Sequence, residues 1–262
     1  LPPPQALARL LDHLPPGVPI AEMVESASAL GRVTAGPVIS TESLPAFARS
    51  TVDGYAVVAR DTHGASDSLP AYLSLVGEVP MGAQPQFGLQ TGQAALIHTG
   101  GMLPEGADAV VMVEYTQIAR PGEIEILRAA ADGENIIRAG EDVSPGQEVL
   151  PAGARLAAAE IGGLMALGLC QVRVARRPRV GILSSGDEVI SPEQQPGLGQ
   201  VRDINSYALS ALVEAHGGEA ARYGIIPDQG DVLEQTLRAA LQDCDAVVIT
   251  AGSSASTRDL TA

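Results

Sequence analysis

The chain has 262 residues, 45% of them hydrophobic, which is enough to bury real cores in two or more compact units. All sixteen basic residues are arginine, against 31 acids, giving a formal net charge of −15; with two Phe, five Tyr and no Trp, this surface offers neither the phosphate contacts nor the stacking platforms of a nucleic-acid binder. No apolar run approaches the roughly 18 residues that cross a bilayer, and the first twenty residues lack the basic start and apolar centre of a signal peptide, so the chain reads as cytoplasmic, with no membrane and no nucleic-acid partner.

Residues 4–14 place Leu7, Leu10, Leu11 and Leu14 on one helical face, the pattern of a packing helix. From about 20 to 45 a short helical stretch, ESASALGRV, sits between the strand-like pieces VPIAEMV and GPVIST. From 46 to about 150 the runs AYLSLVGEV, AALIHTG, DAVVMVEYTQI and EIEILRA are separated by Gly and Pro roughly every ten residues, as in an all-β unit. AAAEIGGLMALG (157–168) spaces Ile161, Leu164, Met165 and Gly168 as a helix, and the strand CQVRVA follows. A strand at 179–184 then leads to a helix opened by Asn205 as N-cap, with Leu209, Leu212 and Val213 on one face. A strand RYGIIP, a helix GDVLEQTLRAALQDC with Leu233, Leu237, Ala240 and Leu241 aligned, and a strand DAVVIT complete β-α-β-α-β, half of a doubly wound parallel sheet. Cys170 and Cys244, each beside an apolar run, read as buried free thiols. His13, His63, His98 and His216 have no metal-ligand spacing, and zinc chemistry is not expected.

Ligands collect at the carboxyl ends of such strands, which here read SSGDE (184–188), PDQGD (227–231) and AGSSASTRD (251–259). Ser184, Ser185 and Gly186 are small enough to let backbone approach an anion, whereas Asp187, Glu188, Asp228 and Asp259 repel one unless a cation lies between. A divalent metal on a phosphate ester reconciles the two. The alternative is a set of independent polar turns, with Asp231 and Asp228 serving as caps for the next helix.

Six motifs in order, RSTVDGYAV (49–57), IHTGGMLPEGADAVVMVE (97–114), GENIIRAGEDVSPGQEVLPAG (133–153), RRPRVGILSSGDEV (176–189), GQVRDINSYAL (199–209) and YGIIPD (223–228), give the chain its resemblance to the molybdopterin molybdenumtransferases, MoeA and the gephyrin E domain. The resemblance implies a multidomain fold of α/β and β-rich parts. Residues 1–45 and 140–175 would form an elongated linker domain, 46–139 a β-rich domain, and 176–262 an incomplete doubly wound molybdopterin-binding α/β domain. The family's C-terminal β-barrel domain has no counterpart in this sequence, and Leu1 is not a natural start. A chain trimmed in this way is expected to dimerise but to be inactive alone.

The resemblance also implies an enzyme of molybdenum cofactor biosynthesis, joining molybdate to adenylylated molybdopterin with release of AMP and help from Mg²⁺. A homodimer is implied in the same way, with the molybdopterin adenylyltransferase as a further candidate partner. Matching motif positions make Asp53, Thr99, Asp142, Glu188, Asp228 and Asp259 the candidate catalytic residues, in a site assembled across domains and subunits. Glu188, Asp228 and Asp259 are the candidate Mg²⁺ ligands, and Ser184, Ser185, Gly186, Asp187, Asn205, Gly252, Ser253 and Arg258 the candidate cofactor-binding residues. The last loop departs from the family's Gly-Gly-Val-Ser-x-Gly-Asp pattern: Ala251, Ser253 and Ser254 alter its start, and Arg258 replaces the small residue before Asp259. An adenylyltransferase-like enzyme and a gephyrin-like scaffold are the competing functions. The first would not need the β-rich part, and the second would tolerate loss of the rim acids.

Overall fold

The computed structural model describes residues 1–13 and 19–250. Along the chain these form α1 (Pro3–His13), β1 (Ala21–Glu25), β2 (Val38–Ile39), β3 (Arg49–Ser50), β4 (Gly54–Val57), β5 (Ala71–Glu78), β6 (Gln93–Ile97), β7 (Ala109–Met112), β8 (Thr116–Arg120) and β9 (Glu123–Ile126). There follow β10 (Ile136–Ile137), β11 (Glu148–Leu150), α2 (Ala158–Ala166), β12 (Gln171–Ala175), β13 (Arg179–Ser185), β14 (Val189–Ile190), β15 (Val201–Arg202), α3 (Asn205–Ala215), β16 (Glu219–Ile226), α4 (Gly230–Asp243) and β17 (Ala246–Thr250). The fold is mixed α/β, and the chain divides into two compact units.

One unit holds residues 36–154 and 158–170. Its main sheet has the strand order β7-β4-β6-β5-β9-β8 and is antiparallel except for the parallel pair β5 and β6. All four residues of β4 are buried. Alternation along the strand sends Tyr55 and Val57 into a core with Leu73, Ile124 and Ile126, and Ala56 into the opposite core with Val79, Ile97 and Val110. Strand β4 is thus covered on both faces and paired on both edges. At its start Gly54 lies opposite Ile97 and Met112, and a Cβ there would stand 2.0 Å from the Val111 carbonyl oxygen. Only glycine fits. Two short antiparallel pairs, β2 with β11 and β3 with β10, tie the flanking loops together.

Of the described residues, the other unit holds 1–13, 19–35, 155–157 and 171–250. Its parallel sheet has β13 in the centre, between β16 and β17. Leu183 and Ile226 pack with Leu233 and Ala240 of α4, which form the inward stripe of that helix. Separately, β1 pairs antiparallel with β12, and β14 pairs in parallel with β15 just beyond the end of β13.

Several expectations are corrected in detail. Helix α1 buries no residue; Leu7, Leu10 and Leu11 are each more than half exposed (57%, 59% and 56%), so no part of its described apolar stripe is buried, and Leu14 lies outside the described residues. The helical stretch after β1 is a single 3₁₀ turn, Ser26–Ser28. Asn205 does not cap α3 but is its first residue; the capping carboxylate is Asp203, which accepts the Ser206 N–H at 3.1 Å and the Ser206 hydroxyl at 2.5 Å. An acid set before the first turn can reach that amide, whereas a side chain already inside the turn cannot. Asp231 likewise lies in the first turn of α4, near the positive end of the helix dipole, and not at its N-cap, which is Gln229. Leu212 and Leu241 face outward, so the buried stripes of α3 and α4 are narrower than the sequence periodicity. Cys170 is exposed, in the connection after the Gly168 turn, and Cys244 is half-buried with its Sγ 3.6 Å from the Tyr223 hydroxyl. The contact with Cys244, then burial, and least the Asp243 carboxylate push the Tyr223 phenol up to about 12.

The two sides of this packing argument separate in one pair of variants. Gly54→Ala should destabilise its unit by about 3 kcal/mol or more, at the upper end of overpacking effects. Gly162→Ala, in α2 with nothing within 4 Å of the new methyl group, should stabilise by about 0.5–1 kcal/mol. Denaturant midpoints of the two variants against the parent would check both signs.

Candidate active site

In the first unit the antiparallel register of β4 and β6 decides the site. Because Gly54 lies opposite Ile97, Asp53 at the entry to β4 comes beside the residues leaving β6. Its Oδ1 accepts the Thr99 N–H at 2.8 Å and the Thr99 hydroxyl at 3.2 Å. These two donors, the backbone N–H foremost, hold the Asp53 carboxyl below its ordinary value, and the His98 ring adds a smaller contribution. His98 Nδ1 lies 3.8 Å from the same Asp53 oxygen, and its Nε2 lies 3.0 Å from Glu78 Oε1 at the end of β5. The loop carrying Thr99 is pinned by Gly100 N–H donating to the Ser50 carbonyl at 2.8 Å and by Ser50 N–H donating to the Gly101 carbonyl at 3.0 Å. Asp142 sits on a different turn, with its N–H on the Leu44 carbonyl at 2.9 Å and its side chain exposed.

In the second unit a cavity of about 240 Å³ opens at the carboxyl end of β13, lined by Ser184, Ser185, Glu188, Arg202, Asp203, Asn205 and Thr250 among others. Ser184 is paired on both sides, with Ile225 and Thr250, and the Gly186 N–H points to the Ile226 carbonyl at 3.4 Å. The serine hydroxyls therefore carry much of the polar lining. Ser185 donates to Asp228 Oδ1 at 2.6 Å, and the Asp228 N–H donates to Asp187 Oδ1 at 3.2 Å, so the ends of β13 and β16 are cross-tied. The Glu188 carboxylate folds back over Gly186: a Cβ there would meet Glu188 Oε2 at 2.8 Å, and the φ of +147° is one that other residues rarely adopt. Asp259, Gly252, Ser253 and Arg258 lie outside the described residues.

No group of three or more His, Cys, Asp or Glu side chains is arranged to hold a metal among the described residues. The donors on offer are oxygens: the Asp228 carboxylate, whose Oδ1 is already held by Ser185, with Glu188 and the serine hydroxyls. That set suits Mg²⁺ in kind, because this ion takes one or two carboxylates and completes its shell with water and substrate phosphate. The sequence motifs give no site role to Arg202, Asp203 and Thr250 of the cavity wall or to Glu78 beside Asp53, and they mark His98 only as lacking metal-ligand spacing. Asp203 was within reach of the rule that acids precede helices. Glu78 carried no local signal.

Residues 1–168 match the MoeA N-terminal region (domain I and II). The chain belongs to the MoeA family. Residues 181–262 match the "Probable molybdopterin binding domain". The chain is 41% identical over 233 residues to the molybdopterin molybdenumtransferase of a Nostoc species, covering 89% of this chain and 53% of that protein. It is 33% identical over 244 residues to molybdopterin molybdenumtransferase 1 of Mycobacterium tuberculosis, covering 87% and 57%. Among solved structures, the MoeA protein of Pyrococcus horikoshii superposes with a TM-score of 0.88 at 37% identity, over 94% of this chain and 65% of that one. This MoeA-family chain thus spans a little over half the length of these curated relatives.

The Asp53 cluster predicts its own titration. Thr99→Ala removes the hydroxyl donor but keeps the backbone N–H, so the Asp53 carboxyl should titrate higher than in the parent while staying below its ordinary value. An NMR pH titration of the Asp53 side-chain carboxyl carbon would show it.

Proposed function

We propose that the protein acts in molybdenum cofactor biosynthesis by inserting molybdate into adenylylated molybdopterin, with AMP released and Mg²⁺ assisting. The observation that carries the reading is the cavity at the end of β13, where hydroxyls and carboxylates meet at the carboxyl edge of a parallel sheet. Ligands of open α/β sheets bind at that edge. Family membership supports the same reading, as do the relatives named molybdopterin molybdenumtransferase. The three parallel strands are then part of a doubly wound sheet, and the working form is a cytoplasmic homodimer.

The roles divide by chemistry. Ser184 presents its hydroxyl to the substrate's phosphates, whereas Ser185 commits its one O–H to Asp228 and fixes that carboxylate through one oxygen so that the other is oriented. Asp187 anchors the Asp228 backbone. Asp228 and Glu188, with Asp259, would hold Mg²⁺, which when bound neutralises phosphate charge. Asp203 keeps the start of α3, and with it Asn205, against the cavity. Asp53 and Thr99 serve the insertion step, and Asp142 contributes a carboxylate from its exposed turn.

Incubating the full-length protein with adenylylated molybdopterin, molybdate and Mg²⁺, and following both AMP release and molybdenum incorporation, tests the reading directly. AMP release without incorporation would defeat it. Asp228→Ala and Glu188→Ala should each lower Mg²⁺-dependent turnover by about 100-fold or more, on the scale of losing one electrostatic group from an active site. Both acids are exposed, so the thermal midpoints should stay near the parent's. Unaltered Mg²⁺ dependence in both variants would remove them from the metal site.

A further inference from the structure

The cavity at the end of β13 is too small to enclose the whole of the substrate proposed for it. Its volume is about 240 Å³, whereas pockets that enclose a drug-sized ligand run to about 300–1,000 Å³, and adenylylated molybdopterin carries both an adenine and a pterin. At least one ring system therefore lies beyond the mouth. The two sides of that mouth differ. Ser184, Ser185, Asp203 and Thr250 give the cavity a polar side, and Val189, Val201 and Ile204 give it an apolar one. Val201 is 54% exposed and Ile204 73%, so both present hydrocarbon to solvent at the rim.

The chain leading into this rim carries a third apolar side chain. Leu198 is fully exposed, in the connection between β14 and β15, three residues before Val201. Hydrogen bonds set its position. The Gln200 N–H donates to the Gly197 carbonyl at 3.2 Å, the Gly197 N–H donates to Gln200 Oε1 at 3.0 Å, and Gly199 has the φ of +84° that the third position of a type II turn needs. The Arg202 Nε donates to the Gln194 carbonyl at 3.1 Å and ties the same connection back to β15. A formed turn thus holds Leu198 in water, without the favourable transfer that burial against a ligand would give. Single exposed apolar residues are ordinary, but here three fall within residues 198–204 beside one cavity. A planar heterocycle matches them, because its faces are apolar while its phosphate-bearing end suits the hydroxyls and carboxylates opposite. We propose that Leu198, Val201 and Ile204 form a ring-binding rim for one planar heterocycle of the substrate, adenine or pterin, whose phosphates lie on the polar side. The inference rests on the reading of this cavity as the site for adenylylated molybdopterin.

The test uses the full-length protein with saturating molybdate and Mg²⁺, and adenylylated molybdopterin as the varied substrate. Leu198→Ala and Ile204→Ala should each raise KM by about 10-fold, and by more than they lower kcat, on the scale of one aliphatic side chain lost from a contact. Leu198→Met, close to leucine in volume, should recover most of that loss. Both residues are exposed, so the thermal midpoints should stay near the parent's. AMP and 6-hydroxymethylpterin phosphate, each one ring with a phosphate, separate the two sources as competitive inhibitors. At least one of them should bind about 10-fold more weakly to both alanine variants, and the one that weakens names the ring. A parent-like KM in either alanine variant would overturn the inference, as would a raised KM with the inhibition by both fragments unmoved. The parent itself separates the two levels. A parent that incorporates no molybdenum and releases no AMP removes the underlying reading and the inference with it, whereas normal insertion by the parent beside alanine variants of unaltered KM removes the inference alone.

Discussion

Burial of a central strand is the constraint that fixes both edges on which the candidate site residues stand. Strand β4 is covered on both faces and paired on both sides, and β13 occupies the same position in the parallel sheet. A strand enclosed in this way cannot slide, because a one-residue slip would turn every side chain to the wrong face. The residues at its ends therefore stand at fixed places. Asp53 precedes β4, and Gly186, Asp187 and Glu188 follow β13. In each case glycine at the strand end removes the atom that would have prevented the close approach of a neighbouring carbonyl or carboxylate.

The same economy governs how the acids are held. Asp53 accepts two Thr99 donors on one oxygen, and Asp228 accepts the Ser185 hydroxyl on one oxygen. Pinning a carboxylate through one oxygen restricts its rotation while the second stays oriented for a ligand, which is how reactive groups are kept near a productive geometry. Neither acid is buried, so the arrangement avoids the desolvation cost that fully enclosed carboxylates carry.

Much of the architecture was legible because it is local. The helical spacing of Leu233, Leu237 and Ala240 and the apolar runs of β13 and β17 repeat within a few residues, and the alternation of strands and helices follows from them. What was not legible is set by contacts distant in sequence. Asp53 and Thr99 are 46 residues apart and meet through strand register, which no local period reveals; the family motifs alone singled them out. His98 is marked only as lacking metal-ligand spacing, since its contact is with Glu78, a residue with no marker of its own. Asn205 and Asp203 show the local rule failing by two positions. Both residue types cap helices, and the backbone path decides which one stands before the first turn.

The discontinuity of the parallel-sheet unit has a consequence for folding. Its strand pair β1 and β12 and the bridge between Val33 and Arg155 close over a stretch, residues 36–154, that belongs to the other unit. While that stretch is folded its ends are tethered, and closing the pair costs little. Once it unfolds, the same pair must close a flexible loop of more than 100 residues, an entropic burden on the order of 4 kcal/mol. The two units are therefore coupled through chain connectivity itself: loosening the inserted sheet weakens the β1–β12 ribbon even where no side chain passes a message between them.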